Sequence, residues 1–276
     1  MSDTTGQDQQ QNMRRVALTS LAGTSIEWYD FFLYATAAAV IFPIAFFPQE
    51  DPTTALLISF SSLAVGFLAR PLGGVVFGHF GDRIGRKRTL VVALMMMGVT
   101  TTLIGFLPTY ASIGVAAPIL LVLLRFVQGL AIGGQWGGAM LLVTESAPAD
   151  QRGWYGAYAQ AGAPLGVVLA NLAFIGVSSS MSDEAFMDWG WRLPFIASIV
   201  LIGISMYIQL KIEDTQAFQS LSNAQSATDK PVETVKRSPV IEAIRKYPKR
   251  IMLAAGAFLS VQVTFYILIA FVISYG

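Results

Sequence analysis

Four long stretches of this chain contain no ionisable side chain other than tyrosine: Thr89 to Leu124, Gly153 to Ser182, Leu193 to Leu210, and Ile251 to Gly276. A helix needs roughly 20 mostly apolar residues to cross a bilayer. The first stretch is long enough for two crossings with a turn at Pro108. Composition agrees, with 13% charged residues and a mean hydropathy of +0.58, where a soluble domain carries about 25% charged residues. The expected fold class is all-α and integral to the membrane.

Hydropathy places spans at 16–47, 53–79, 89–107, 114–144, 154–178, 190–211 and 251–275. The segments that alternate to one side carry Arg14 and Arg15, then Arg83, Arg86, Lys87 and Arg88, then Arg152 and the basic cluster of the 212–250 loop. The other side holds Glu50, Asp51, Asp183, Glu184 and Asp188, with no lysine or arginine. Positive residues stay inside, so the N-terminus is expected in the cytoplasm of a multi-pass plasma (inner) membrane protein. The expected organisation is a cytoplasmic tail (1–15), a six-helix half (16–211), a cytoplasmic linker (212–250) and a seventh transmembrane helix (251–276). The linker is rich in Ser, Gln, Lys and Glu, with Pro231 and Pro239 as breakers. Six spans, a long inner loop and a lone seventh span without a polar tail are the pattern of a twelve-span protein cut after its seventh helix.

Glu27 and Asp30 interrupt the first apolar segment. At i and i+3 they share one helix face, and each ionised acid at mid-membrane costs roughly 2.5–3.5 kcal/mol. Such a cost is accepted where a charge lines a polar cavity, carries a proton or meets a buried base. The fourth span makes a polar stripe of Arg125, Gln128 and Gln135 at helical spacing. Arg125 either grips a substrate carboxylate through its planar fork or pairs permanently with Glu27 or Asp30. Arg70 precedes Pro71, so a kink is expected to turn it toward the bundle interior, again as a substrate contact or a counter-ion. Asp30 is the first candidate for a proton carrier and Glu27 the second. An anion that occupies the arginine favours the neutral form of the nearby acid, which is a physical route to coupled proton and anion movement.

Between the second and third spans runs GHFGDRIGRKR, Gly78 to Arg88. Its G-x-x-x-D-R-x-G-R-K pattern resembles the signature loop of the major facilitator superfamily. The stretch GTSIEWYDF (Gly23 to Phe31), RPLGG (Arg70 to Gly74), RFVQG (Arg125 to Gly129), GGQWGGA (Gly133 to Ala139) and WRLPF (Trp191 to Phe195) resemble the metabolite:proton symporter family within it, closest to its shikimate-type and organic-acid carriers. Glu145, Pro148 and Arg152-Gly153 extend the match. Gln135 stands where many members carry glutamate, which removes a titratable group from the fourth helix.

The resemblance implies the N-terminal six-helix bundle of the major facilitator fold and a proton-coupled symporter of a small organic acid, working by alternating access. The candidate proton-coupling residues are Asp30 and Glu27, and the candidate substrate contacts are Arg70, Arg125, Gln128, Gln135 and Tyr34. A conformational latch would comprise Gly78, Asp82, Arg83, Gly85, Arg86, Glu145 and Arg152. No cofactor beyond a proton gradient is expected. The expected partners are the substrate, the proton, the lipid bilayer and a missing C-terminal half, and not nucleic acid. Rival readings are a betaine- or proline-type zwitterion symporter on the same scaffold, a seven-helix receptor, and a non-functional truncated fragment. An enzyme is disfavoured, since the chain has no Walker loop, no metal-spaced His/Cys cluster and no nucleophile elbow.

Overall fold

The computed structural model describes residues 2–84, 86–148, 150–210 and 245–266; within these, the side chains of 2–12, 82–87, 135–146 and a few single positions lie outside the description. Two units are compact, Met1–Thr228 and Asp229–Gly276. In the first, α1 (Ser2–Val40) is followed by a short α2 (Phe42–Phe46), α3 (Pro52–Ile84), α4 (Arg86–Phe106), a one-turn α5 (Tyr110–Ile113), α6 (Ala116–Ser146) and α7 (Arg152–Ser178). A brief α8 (Asp183–Ala185) then runs through a π-helical turn, Phe186–Gly190, into α9 (Arg192–Leu210). In the second unit, α10 (Pro248–Tyr266) begins on a proline, whose missing N–H costs nothing at a first helical position.

The helices follow the apolar stretches, with local differences. The first span breaks at Ile41, where α2 turns aside and buries Phe42 and Phe46. Leu107 to Thr109 form the turn expected at Pro108. Gly114 makes the next one possible with φ of 57°, a left-handed conformation that a side chain would strain. The sixth span is entered through a bend of 52° between the π-helical segment and α9. Pro71 is accommodated inside α3, which continues to Ile84. Among the described residues, α3, α6 and α7 are each long and apolar enough to cross a bilayer. α1 falls short of the same measure because Ser20, Thr24, Ser25, Glu27 and Asp30 lie along it, and all five are buried.

Charged side chains are buried here while large apolar ones are exposed. Arg125, Gln128, Glu27 and Asp30 are buried, while Leu68 (74% exposed), Leu57, Leu172 and Val200 face outward. Apolar side chains turned outward and charges drawn inside suit a lipid solvent.

Within the first unit α1 packs along α7, α3 along α6, and α4 between α6 and α9. Glycine sets the closest of these contacts. A Cβ at Gly129 would collide with the Gly66 carbonyl, one at Gly133 with the Arg70 carbonyl, and one at Gly73 with the Leu130 carbonyl, so the α3 and α6 backbones touch. Gly162 and Gly166 bring α7 against Thr24, Ser25 and Trp28 of α1 in the same way. An aromatic core of Tyr34, Phe42, Phe46, Trp191 and Phe195 closes one end of the bundle.

Candidate functional site

Three helices meet at one buried polar network. α1 supplies Asp30, α4 supplies Thr101, and α6 supplies Arg125 and Gln128. The Thr101 hydroxyl donates to Asp30 Oδ1, and Gln128 Nε2 donates to Asp30 Oδ2. Gln128 Nε2 also donates to Thr101 Oγ1 at 2.8 Å, while its Oε1 accepts from Arg125 Nη1 at 2.6 Å. The amide therefore presents oxygen to the cation and nitrogen to the anion. Gln128 thus bridges Arg125 to Asp30.

Arg125 is held from its other side too. Its guanidinium carbon lies 4.1 Å from the Tyr34 ring centroid and 5.8 Å from that of Phe31. Its Nε faces Gly66, where a Cβ would stand 2.8 Å away, so glycine makes room for the side chain. The Ser62 hydroxyl donates to Ser59 O at 2.5 Å, which commits its one proton. Tyr34 must then donate to Ser62 across their 2.7 Å contact. Tyr34, a candidate substrate contact by sequence, is fully buried with its hydroxyl proton used and its ring face turned to Arg125.

Glu27 lies one turn before Asp30 and is 5% exposed; its Oε2 meets no hydrogen-bond donor. Arg70 is half-buried, with its guanidinium 4.5 Å from the Phe67 ring centroid and 5.6 Å from that of Phe31. The five residues Glu27, Asp30, Arg70, Arg125 and Gln128 are thus brought into one neighbourhood around Phe31.

The remaining candidates are more dispersed. Gly78 is exposed on the last turns of α3 with open space around it. Arg152 opens α7 and is exposed, its Nε reaching Ala147 O at 3.4 Å. Gly85 lies outside the described residues, as do the side chains of Asp82, Arg83, Arg86, Gln135 and Glu145. Asn171 donates to Val167 O of its own helix at 2.9 Å and lines a pocket with Thr36, Phe174 and Phe186. Among the described residues no cluster of His, Asp and Glu suited to a metal ion occurs.

Sequence reasoning missed Thr101, Ser59 and Ser62. The available signal was the run Thr100-Thr101-Thr102 inside an otherwise apolar α4, matched by the serines along α3. It is a weak signal, because a hydroxyl in a membrane helix commonly bonds the carbonyl one turn back, as Thr100 does to Met96 O.

A family model described as sugar (and other) transporter matches residues 16–274. Among relatives, the inner membrane metabolite transport protein YhjE of Escherichia coli K12 is 45% identical over 262 residues, covering 95% of this chain and 58% of its own. The shikimate transporter of the same organism is 45% identical over 263 residues, covering 95% of this chain and 59% of its own. The chain thus spans little more than half the length of the relatives it matches. Among solved structures, the major facilitator proton:xylose symporter XylE from E. coli superposes with a TM-score of 0.69 over 79% of this chain and 48% of its own, at 15% identity. That likeness establishes the fold.

Proposed function

Because the chain belongs to the sugar (and other) transporter family and carries the major facilitator fold, we propose that its protein moves a small organic acid together with a proton across the inner membrane by alternating access. Its relatives are transporters and not enzymes. The observation that carries the reading is the buried chain Asp30–Gln128–Arg125, which places an acid and a base in one polar network inside a bundle with an apolar exterior.

The hydrogen-bond pattern suits proton uptake. The Thr101 hydroxyl has one proton and two acceptors in reach, Asp30 Oδ1 and Met97 O, the latter at 2.8 Å. With Asp30 ionised, Thr101 donates to the carboxylate. With Asp30 protonated on Oδ1, the acid donates to Thr101, and the hydroxyl turns to Met97 O. The proton is accommodated by rotating one hydroxyl, with no heavy atom displaced. A substrate carboxylate held beside the arginines adds negative charge near Asp30, so substrate and proton favour each other. Tyr34 acts here as a positioning residue that holds Arg125 in register.

Two halves rocking about such a site give alternating access. In this scheme the N-terminus lies in the cytoplasm, and Asp82 with its basic neighbours, Glu145 and Arg152 latches the cytoplasmic side. A complementary helical half, part of the length seen in the relatives, closes the chamber.

Asp30→Asn tests the scheme. An asparagine copies the protonated acid, because its Nδ2 donates to Thr101 while its Oδ1 accepts from Gln128. In membrane vesicles the variant should exchange labelled organic acid across the membrane but fail to accumulate it against a gradient. Uphill accumulation at the native level by Asp30→Asn would refute the assignment.

A further inference from the structure

We propose that Glu27 and Arg70 form a recognition point beside the Asp30 network, one that takes a carboxylate and a hydrogen-bond donor carried by the same small molecule. The proposal rests on the transport reading above and names the chemical class of what is carried.

The two acids of α1 are treated differently. Both oxygens of Asp30 receive donors, from Thr101 and from Gln128. Glu27 is equally withdrawn from the surface, yet its Oε2 meets none. A buried acceptor left unmet is costly. Arg125 is 1% exposed and has given Nη1 to Gln128. Arg70 is the more accessible guanidinium, and among the described residues its contacts are the ring faces of Phe67 and Phe31. A guanidinium stacked on rings keeps the N–H groups of its own plane for a planar anion.

Phe31 fixes where the two groups stand. It follows Glu27 by four residues, on the same face of α1, and Arg70 lies 5.6 Å from its centroid. A ligand held there meets a cation with free planar donors and, one helical turn along, an acceptor without a donor. A carboxylate satisfies the first and an O–H or N–H the second. A carboxylate without such a donor, or one joined to a quaternary nitrogen, leaves Glu27 Oε2 unmet.

Counterflow exchange in membrane vesicles tests this without any proton gradient, so it is independent of the coupling scheme. The probes are matched carboxylates competing for exchange: shikimate against cyclohex-1-enecarboxylate for the hydroxyl donor, and proline against N,N-dimethylproline for the N–H donor. The expected result is that the donor-bearing member of one pair competes about 10- to 100-fold better. Glu27→Leu should bring that ratio to within about threefold, while Glu27→Gln, which keeps a carbonyl acceptor, should retain most of a hydroxyl preference. Which pair responds identifies the donor. Equal competition within both pairs by the native protein overturns the proposal even if Glu27→Leu fails to fold, and so does an undiminished ratio in Glu27→Leu. Exchange without preference leaves the transport reading intact. Absence of carboxylate exchange defeats both.

Discussion

Gln128→Leu is the sharpest test of the polar network, because it removes three hydrogen bonds while leaving the volume nearly unchanged. Gln128 is fully buried. Its amide donates to Asp30 Oδ2 and to Thr101, and accepts from Arg125 Nη1. Leucine opens little cavity, so the loss comes from orphaned partners. Asp30 Oδ2 and Arg125 Nη1 are each left unmet at about 1–3 kcal/mol, which puts the destabilisation at about 2–6 kcal/mol. At about 2–4 °C per kcal/mol for a chain of this size, the melting temperature in detergent should fall by at least about 4 °C. Gln128→Glu separates lost bonding from lost volume. Its carboxylate still accepts from Arg125, but when ionised it turns an acceptor toward Asp30 Oδ2; when protonated, its O–H replaces the amide N–H. Gln128→Glu should therefore melt closer to the native protein in acid than in alkaline buffer. If Gln128→Leu melts within about 1 °C of the native protein and exchanges substrate normally, the network neither stabilises the bundle nor positions the arginine.

Two glycines predict shifts of opposite sign. Gly→Ala gains roughly 1 kcal/mol of helix propensity, but at Gly129 the new methyl meets the Gly66 carbonyl and lies 2.9 Å from Ala69 Cβ. The clash of about 1–3 kcal/mol should win, so Gly129→Ala lowers the melting temperature and weakens exchange, whereas Gly176→Ala, with nothing within 4 Å, raises it. Asp51 heads α3, where its Oδ1 accepts from the Thr53 and Thr54 amides at 3.1 Å each. The Thr54 hydroxyl and these amides hold its carboxyl below the usual 3.8. This capping contribution is complete above the ordinary carboxyl range and fades as pH falls through the depressed value. Acid melts should show the loss in the native protein and not in Asp51→Asn, which caps without titrating.

Much of the architecture was readable along the chain. Apolar runs of bilayer length located the long helices, Pro108 marked the α4–α5 turn, and the glycines at Gly129 and Gly162 lack the side chain that would keep the helices apart. Each is a local property, set by hydropathy, a missing N–H or a missing Cβ, and each survives in any packing of the helices. The acids and arginines were also visible as candidates, because a charge in an apolar run is conspicuous wherever it points. Their partners were not. Whether Arg125 met Asp30 or Glu27 depended on how α1, α4 and α6 turned toward one another, and the answer was Gln128, a residue 98 positions from Asp30 in sequence. Thr101, Ser59 and Ser62 were silent for the same reason, since a hydroxyl can satisfy itself on its own helix and reveals a tertiary role only when another helix brings an acceptor to it. The break at Ile41 was equally hidden, because it follows from the aromatic pocket of Trp191 and Phe195 that receives Phe42. Helix formation is decided within a few residues, whereas the pairing of buried charges is decided by rotation and approach of whole helices, and only the folded bundle sets those.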